Sequence, residues 1–114
     1  MTNDSRIQLT KGLYEAFMSG DRKFYEEHLS DDFIFSSPVD VGLDKDGYFN
    51  RCWLGAGKGG KINYIRLIES DNEVVVTYES TSSDGKKGRN TEIIGFKDNK
   101  VSSIEVYFGW SITK

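Results

Sequence analysis

The sequence predicts an α+β domain, a cone-shaped α+β barrel with three N-terminal helices packed on a curved, mainly antiparallel sheet that encloses a cavity. Two observations carry this prediction. The apolar period changes from near 3.6 to 2 after a glycine-rich loop, Leu54 to Gly60. Turn residues then divide the second half into long strands joined as a meander. With 114 residues, the chain has the length of a single domain, 1–114.

The first 29 residues predict two helices. Residues 4–19 form a broad apolar stripe in which Leu9, Leu13 and Phe17 recur every four residues. A cap at Asn3 or Asp4 is expected to begin this helix, and Gly20 to end it. Asp21 is expected to cap a second, shorter helix, whose apolar face carries Phe24, Tyr25, His28 and Leu29.

A strand and a third helix follow. Residues 32–37 alternate as a strand, and Pro38 interrupts its ladder because proline has no backbone N–H. Asp44 is expected to cap the third helix, whose apolar face carries Tyr48, Phe49, Cys52 and Trp53.

Four long segments with strand periodicity make up the second half of the chain. They are predicted at 61–69, 73–82 and 88–97, and the last strand at about 101–111. The Asp84-Gly85 pair supplies the positive φ that a tight hairpin turn requires. In 73–82 both faces carry apolar residues, so the sequence leaves the facing of this strand open.

Charge excludes some partners. Lys and Arg number 15 and Asp and Glu 18, a net charge of −3, which is unfavourable for nucleic acid and for an anionic membrane surface. The basic group Lys86, Lys87 and Arg89 is therefore interpreted as a solvated group that protects a sheet edge.

Cys52 and His28 are the single cysteine and the single histidine. An internal disulfide, a CxxC zinc site and a histidine-rich metal site are therefore excluded, and we expect no metal and no cofactor. The sequence has no apolar run of the ~20 residues that span a membrane. The N-terminus has no signal-peptide pattern, so the expected compartment is the cytoplasm.

Three segments, in this order, resemble the nuclear transport factor 2-like superfamily and its SnoaL-like group. They are LYEAFMSGDRKFYEEHLSDDFIFSSP from Leu13, LDKDGYFNRCW from Leu43 and RNTEIIGFKDNKVSSIEVYFGW from Arg89. The resemblance covers nearly the whole chain and implies the fold predicted above. It does not fix the function, because the superfamily includes isomerases, cyclases, epoxide hydrolases, dehydratases and non-catalytic modules.

Within this superfamily, the ketosteroid isomerases imply possible site residues. Their general base is an Asp before a proline, where this chain has Ser37-Pro38, so the resemblance argues against isomerase chemistry by that route. Their protonated Asp, an oxyanion-hole donor, matches Glu92, and their catalytic Tyr lies near Tyr14, shifted by one residue. Arg89 and Glu92, three apart on one strand, face opposite sides and do not form an epoxide hydrolase pair.

Glu92 is the candidate acid–base residue. If Asn90, Glu92, Ile94 and Phe96 face the cavity, desolvation raises the pKa of the Glu92 carboxyl. Asn90 would orient that carboxyl or a ligand carbonyl. The alternative is a solvated carboxylate on the outer face of the sheet, or one paired with Arg or Lys. His28, beside Asp31 and Asp32, is either a general base or a packed residue bonded to a backbone carbonyl.

Aromatic side chains are the candidate ligand contacts, against the alternative that they only form the core. Asp40 could reach the cavity mouth or serve in a turn. The candidates for ligand binding are Phe17, Phe33, Phe35, Ser37, Asp40, Trp53, Phe108 and Trp110.

Three functions fit this sequence. The first is a cofactor-independent isomerase, cyclase or lyase that acts on a hydrophobic carbonyl compound. The second is a non-catalytic module that binds a hydrophobic small molecule, and the third is a dimeric scaffold. The outer sheet face, which carries Thr91, Ile93, Glu105 and Tyr107, is expected to form a homodimer.

Overall fold

The computed structural model describes residues 3–111. Three helices precede most of the sheet: α1 (Asn3–Ser19), α2 (Arg22–His28) and α3 (Lys45–Arg51). A short 3₁₀ helix, Trp53–Gly55, follows α3. Within the described residues, no helix has the length and apolarity needed to cross a membrane.

The predicted helix ends agree with the observed caps. Gly20 follows α1 with a φ of 81°, a conformation that glycine adopts without strain. The Asp21 carboxylate accepts a hydrogen bond from Phe24 N at 3.2 Å, and that of Asp44 accepts one from Gly47 N at 2.8 Å. These bonds satisfy N–H groups that the first helical turn leaves without partners. The predicted cap at Asn3 or Asp4 lies outside the described side chains.

Within residues 3–111, the sheet has five strands. They are β1 (Leu29–Ser36), β2 (Lys61–Ser70), β3 (Glu73–Thr81), β4 (Lys87–Lys97) and β5 (Lys100–Ser111). Their order across the sheet is β1-β5-β4-β3-β2, so the last four strands form an antiparallel meander and β1 pairs with β5.

The pairing of β1 with β5 is parallel, which makes the sheet mixed. Register shifts interrupt the ladders between β2 and β3 and between β4 and β5, and such bulges bend strands. The result is a curved, open sheet with the helices against it, which confirms the predicted α+β cone. The sequence did not predict the parallel pairing, and it placed the start of β1 three residues late.

The core lies between the helices and the inner face of the sheet. On β3 the buried inner residues are Val74, Val76 and Tyr78, which resolves the facing that the sequence left open. Thr77, on the outer face, is buried as well, and its hydroxyl lies 2.8 Å from that of Thr91. Buried side chains therefore lie on both faces of β3, although Val75 and Glu79 on the outer face stay partly exposed, and this agrees with the mixed pattern in the sequence.

Candidate active site

A pocket of about 760 Å³ opens between the helices and the sheet. Its volume is in the range of sites that hold small organic molecules. Buried side chains from α1, α2, α3 and the sheet line its interior, namely Leu13, Tyr25, Phe35, Tyr48, Ile94 and Ile104. The pocket is therefore largely apolar at depth.

Glu92 is a carboxyl in this apolar interior, and its side chain is flanked by two tyrosines. It is only 9% exposed. The Tyr14 hydroxyl donates to Glu92 Oε1 at 2.9 Å, and the Tyr78 hydroxyl donates to Oε2 at 2.5 Å. We call Tyr14, Tyr78 and Glu92 the pocket triad. All three line the pocket, so the triad can contact a ligand there.

The register of β3 against β4 positions Tyr78 and Glu92, and α1 positions Tyr14. In the β3–β4 ladder, Tyr78 pairs with Asn90, and Val76 pairs with Glu92. Tyr78 and Glu92 are thus diagonal neighbours on the inner face, a separation that long side chains span. Tyr14 reaches the same carboxyl from α1, and its ring packs 5.0 Å from the ring of Tyr78 between centroids.

Burial determines the protonation of the triad. Desolvation raises the pKa of Glu92, and the hydrogen bonds from Tyr78 and Tyr14 oppose that rise in part. Desolvation and the neighbouring Glu92 charge raise the pKa of Tyr14 and that of Tyr78 above the usual phenol value. The tyrosines therefore remain neutral hydrogen-bond donors, and Glu92 is the group of the triad that gains and loses a proton.

Asn90 supports the triad from outside the pocket lining. Its side-chain amide nitrogen donates to the Tyr78 hydroxyl at 3.4 Å, and its oxygen accepts from Gly109 N at 3.1 Å. The predicted contact between Asn90 and Glu92 is indirect, since it runs through Tyr78.

The exposed edge of the pocket is rich in lysine. Lys58, Lys61, Lys86 and Lys87 line it together with Asp84, and all five are exposed. We call these five residues the pocket mouth. The sequence predicts that Lys86 and Lys87 only protect a sheet edge, whereas the structure places them at the opening of the pocket. Sequence spacing does not show that the β3–β4 hairpin borders the pocket. Arg89 points elsewhere and pairs with Glu79.

Two of the four phenylalanine candidates line the pocket, namely Phe17 and Phe35. The third, Phe33, is fully buried and packs edge-on against Tyr48 at 5.7 Å between centroids. It contributes to the core beneath the pocket and does not line it.

Ser37 and Asp40 serve in a turn. The Ser37 hydroxyl oxygen accepts from Val39 N and Asp40 N, and the Asp40 carboxylate pairs with Arg51 at 2.7 Å. Neither residue lines the pocket. The position that holds the base in ketosteroid isomerases is thus occupied here by a turn-capping serine.

His28 and Trp53 belong to the packing of the helices. The His28 ring stacks on Phe24 at 4.2 Å, and Nδ1 lies 2.7 Å from the carbonyl oxygen of Phe24. The half-buried Trp53 packs against Phe17, Tyr25 and Phe49 and is absent from the pocket lining. For His28 this is the second of the two predicted alternatives, a packed residue bonded to a backbone carbonyl. For Trp53 it corrects the expectation of a ligand contact, since the 3₁₀ turn directs the ring into helix contacts.

Phe108 and Trp110 lie beyond the pocket, at the end of β5. They are 55% and 63% exposed, whereas Ile104 and Val106 on the same strand line the pocket. The expected alternation continues to Phe108, but a register shift in the β4–β5 ladder follows, and the Trp110 ring lies 5.4 Å from the guanidinium carbon of Arg89 on the outer face. Neither Phe108 nor Trp110 therefore lines the pocket.

The sequence missed several tyrosines of the pocket. Tyr78, Tyr25 and Tyr48 line it, and the Tyr25 hydroxyl donates to the carbonyl oxygen of Leu13 at 2.8 Å. Parity places Tyr78 on one strand face with Val74 and Val76, but the sequence does not show that this face is the inner one. Residues 3–111 contain no group of three or more His, Cys, Asp or Glu side chains placed to hold a metal ion.

The fold is similar to several solved structures. An NTF2-like protein of unknown function from Cytophaga hutchinsonii is 20% identical, with a TM-score of 0.71 over 92% of this chain and 89% of that one. A candidate ketosteroid isomerase from Kribbella flavida is 12% identical, with a TM-score of 0.78 over 97% and 82%. An LEH-like epoxide hydrolase from M. tuberculosis is 14% identical, with a TM-score of 0.71 over 93% and 84%.

By sequence, the chain matches no family model and no curated protein. The structural likenesses confirm the predicted nuclear transport factor 2-like (NTF2-like) fold. At these identities the fold is what they establish, and the chemistry has to be argued from the site.

Proposed function

We propose that this chain, which has the NTF2-like fold, binds a hydrophobic, carbonyl-bearing small molecule and that Glu92 transfers a proton to or from it. The reaction would be that of an isomerase, cyclase or lyase that uses no cofactor. One observation carries the proposal: a buried carboxyl lies in an apolar pocket between two neutral phenols. An isomerase candidate and an epoxide hydrolase among proteins of this fold are consistent with such chemistry.

The ionised form of Glu92 acts as the base. Each carboxylate oxygen accepts one phenol hydrogen bond, and each retains a further lone pair. A ligand C–H or O–H beside the carboxylate can lose its proton to that lone pair. Because desolvation raises the pKa of Glu92, the carboxylate binds a proton more readily than a solvated one.

When Glu92 is protonated, it allows one of the two tyrosine hydroxyls to donate a hydrogen bond to the ligand oxygen. A carboxylic acid can donate its proton to one tyrosine oxygen, and that phenol is then free to turn its own O–H into the pocket. A phenol placed there stabilises the negative oxygen that develops when a carbonyl compound loses an α-proton. The triad therefore couples removal of the proton to stabilisation of the resulting enolate.

A single carboxyl has to remove the proton and return it. Ser37 lies in a turn outside the pocket, and Asp84, the other carboxylate that lines it, lies at the exposed mouth. Both steps therefore occur at Glu92, which predicts that the proton leaves and returns on the same face of the ligand.

A second function is a non-catalytic binding module, and it has one observation in its favour. Both Glu92 oxygens already have partners in the unliganded pocket, as in a buried polar group that is simply satisfied. In that case Glu92 and the tyrosines would recognise ligand polarity without transferring a proton.

A thermal-shift screen tests the binding step. The wild-type protein and Glu92→Gln are compared with flat ketones, lactones and aromatic acids, and Glu105→Gln, on the exposed outer face, is the matched control. A ligand at ~100 times its Kd stabilises by ~2.7 kcal/mol, which is several degrees for a domain of this size. A shift in the wild type and the control that changes in Glu92→Gln supports the proposal. No shift with any compound contradicts it.

We also propose that the outer sheet face forms a homodimer. It carries the exposed Tyr107 and the partly exposed Ile93, and the helices cover the opposite face. The expected compartment is the cytoplasm, where the free Cys52 would remain reduced.

A further inference from the structure

We infer that the ligand of this pocket is an amphipathic anion, with an apolar body inside and a negatively charged group at the lysine-rich mouth. The inference rests on the proposed function, since it specifies the class of molecule that the same pocket takes. It arises from the contrast between the two ends of the pocket. The interior is apolar around the triad, and the mouth carries four lysines and one aspartate.

The mouth is basic in a chain that is acidic overall. The net charge of the whole sequence is −3, yet Lys58, Lys61, Lys86 and Lys87 gather at one opening. In the described part of the chain, the ion pairs leave Lys58, Lys61 and Lys86 without a carboxylate within salt-bridge distance. These three ammonium groups are available to a ligand.

Asp84 offsets only one of the four lysine charges, and the hairpin turn holds its carboxylate in place. The Ser82 hydroxyl and the backbone N–H of Lys86 both donate to Asp84 Oδ1. Those bonds hold the pKa of Asp84 below its usual value, so it stays a turn-capping anion. The positive potential of the lysines therefore dominates the opening.

The two ends also fix the orientation of the ligand. A charged group placed at depth would be desolvated and would lie beside the Glu92 carboxyl, which disfavours a second negative charge. At the mouth the same group stays partly hydrated and meets flexible ammonium groups, which bind carboxylate, sulfonate or phosphate as point charges. The carbonyl end then faces the triad.

A pair of fluorescent probes tests this preference. 1-Anilinonaphthalene-8-sulfonate and N-phenyl-1-naphthylamine have the same apolar body, and the former carries a sulfonate. We expect the anionic probe to bind at least about tenfold more tightly at low salt, from several weak lysine contacts. Raising the salt shortens the Debye length from ~10 Å at 0.1 M to ~3 Å at 1 M, so the advantage should shrink.

Matched variants locate the charge effect. The triple variant Lys58→Gln, Lys61→Gln, Lys86→Gln should weaken the anionic probe by about tenfold and leave the neutral probe within about twofold. The control changes Lys23, Lys97 and Lys100 to Gln, which alters the net charge equally away from the mouth. Equal weakening by both triple variants would show long-range charge only and would overturn the inference.

Two further variants test whether the probes bind in the pocket. Ser80→Trp fills the opening from β3 and should abolish binding of both probes, whereas Trp110→Ser removes an exposed ring outside the pocket and should leave binding unchanged. Binding that survives Ser80→Trp would overturn the assignment of the probes to the pocket, and with it the inference.

The outcome separates this inference from the proposed function. If both probes bind in the pocket with equal affinity and no salt dependence, the anion preference is wrong and the pocket still binds apolar molecules. If neither probe binds, the proposed function and the anion preference both fail.

Discussion

The Tyr78 hydroxyl lies 2.5 Å from Oε2 of Glu92, although the two residues are fourteen positions apart and on different strands. The β3–β4 register places them as diagonal neighbours on the inner face of the sheet. This contact converts an otherwise costly buried carboxyl into a hydrogen-bonded one. It also leaves Glu92 as the group in the pocket whose charge changes during a proton transfer.

Stability should depend on pH through Glu92. Its folded-state pKa is raised above the ordinary value of 4.5, so the folded state retains this proton when the unfolded state has lost it. The stability that this proton contributes is fully present below the pKa of Glu92 in the unfolded state. It is lost as the pH rises through the pKa of Glu92 in the folded state. The free energy of unfolding, measured by urea titration from about pH 5 to pH 8.5, should fall relative to that of Glu92→Gln.

The control for this prediction is the difference between the two proteins, because all other titrating groups are common to both. Asp32 and Asp84 have lowered pKa values, so their stability is lost in acid, below the chosen range. A difference in unfolding free energy that is independent of pH, or that grows in favour of the wild type as pH rises, would contradict the account.

Tyr78→Phe should destabilise the fold and change the pH profile. The substitution removes a hydrogen bond to a buried carboxyl, which contributes about 1.5–3 kcal/mol when the acceptor is charged. That bond also lowers the pKa of Glu92, so its loss should move the midpoint of any pH–rate profile upward. Tyr64→Phe, whose hydroxyl donates to the Lys11 carbonyl oxygen at 3.5 Å and not to Glu92, is the matched control and should destabilise the fold less and leave the midpoint unchanged. An unshifted midpoint in Tyr78→Phe argues against coupling of the two groups.

Gly60→Ala should destabilise the pocket mouth more than Gly59→Ala does. Gly60 has a φ of +104°, and a Cβ there would lie 2.6 Å from the backbone oxygen of Thr81. Gly59 has a φ of +71°, and a Cβ there would meet nothing within 4 Å. A positive φ strains an alanine at both positions, and at Gly60 the larger φ and the close approach to Thr81 together add an excess cost of about 1–3 kcal/mol. Thermal unfolding of the two variants measures it, and equal melting temperatures would refute the reason given.

The outer sheet face should support a homodimer. Sedimentation velocity is expected to give twice the chain mass of 12.9 kDa. A double variant, Ile93→Lys and Tyr107→Lys, should yield the monomer, because buried like charges oppose a symmetric interface. Leu54→Lys, in the short 3₁₀ helix and 77% exposed, lies away from the outer sheet face, and it should remain dimeric. A monomeric wild type at high concentration refutes the proposal.

Local rules predicted most of the fold. The caps at Asp21 and Asp44 and the turn at Asp84-Gly85 are encoded within a few residues, so spacing alone located them. The parallel pairing of β1 with β5 joins residues about 70 positions apart, and no local pattern encodes it.

The site was less predictable than the fold, because its residues are brought together by contacts between distant parts of the chain. Glu92 could be identified because Ile94 and Phe96 alternate with it, and β-strand parity is a strong rule. Tyr78 could not, because β3 is apolar on both faces and only the ladder to β4 shows which face is inner. Trp53 is expected at the pocket rim because a large ring with an N–H is often partly exposed there, but its contacts with Phe17 and Tyr25 come from tertiary packing that the sequence does not show.

The most direct test of the central claim is proton exchange on a ketone that binds the pocket, followed by NMR in D₂O. We expect the wild-type protein to accelerate deuterium incorporation at the α-carbon, with a rate that rises with pH through the raised pKa of Glu92. Glu92→Gln should lose about 100-fold or more of that acceleration, and Glu105→Gln should retain it. Exchange in Glu92→Gln as fast as in the wild type would contradict the account.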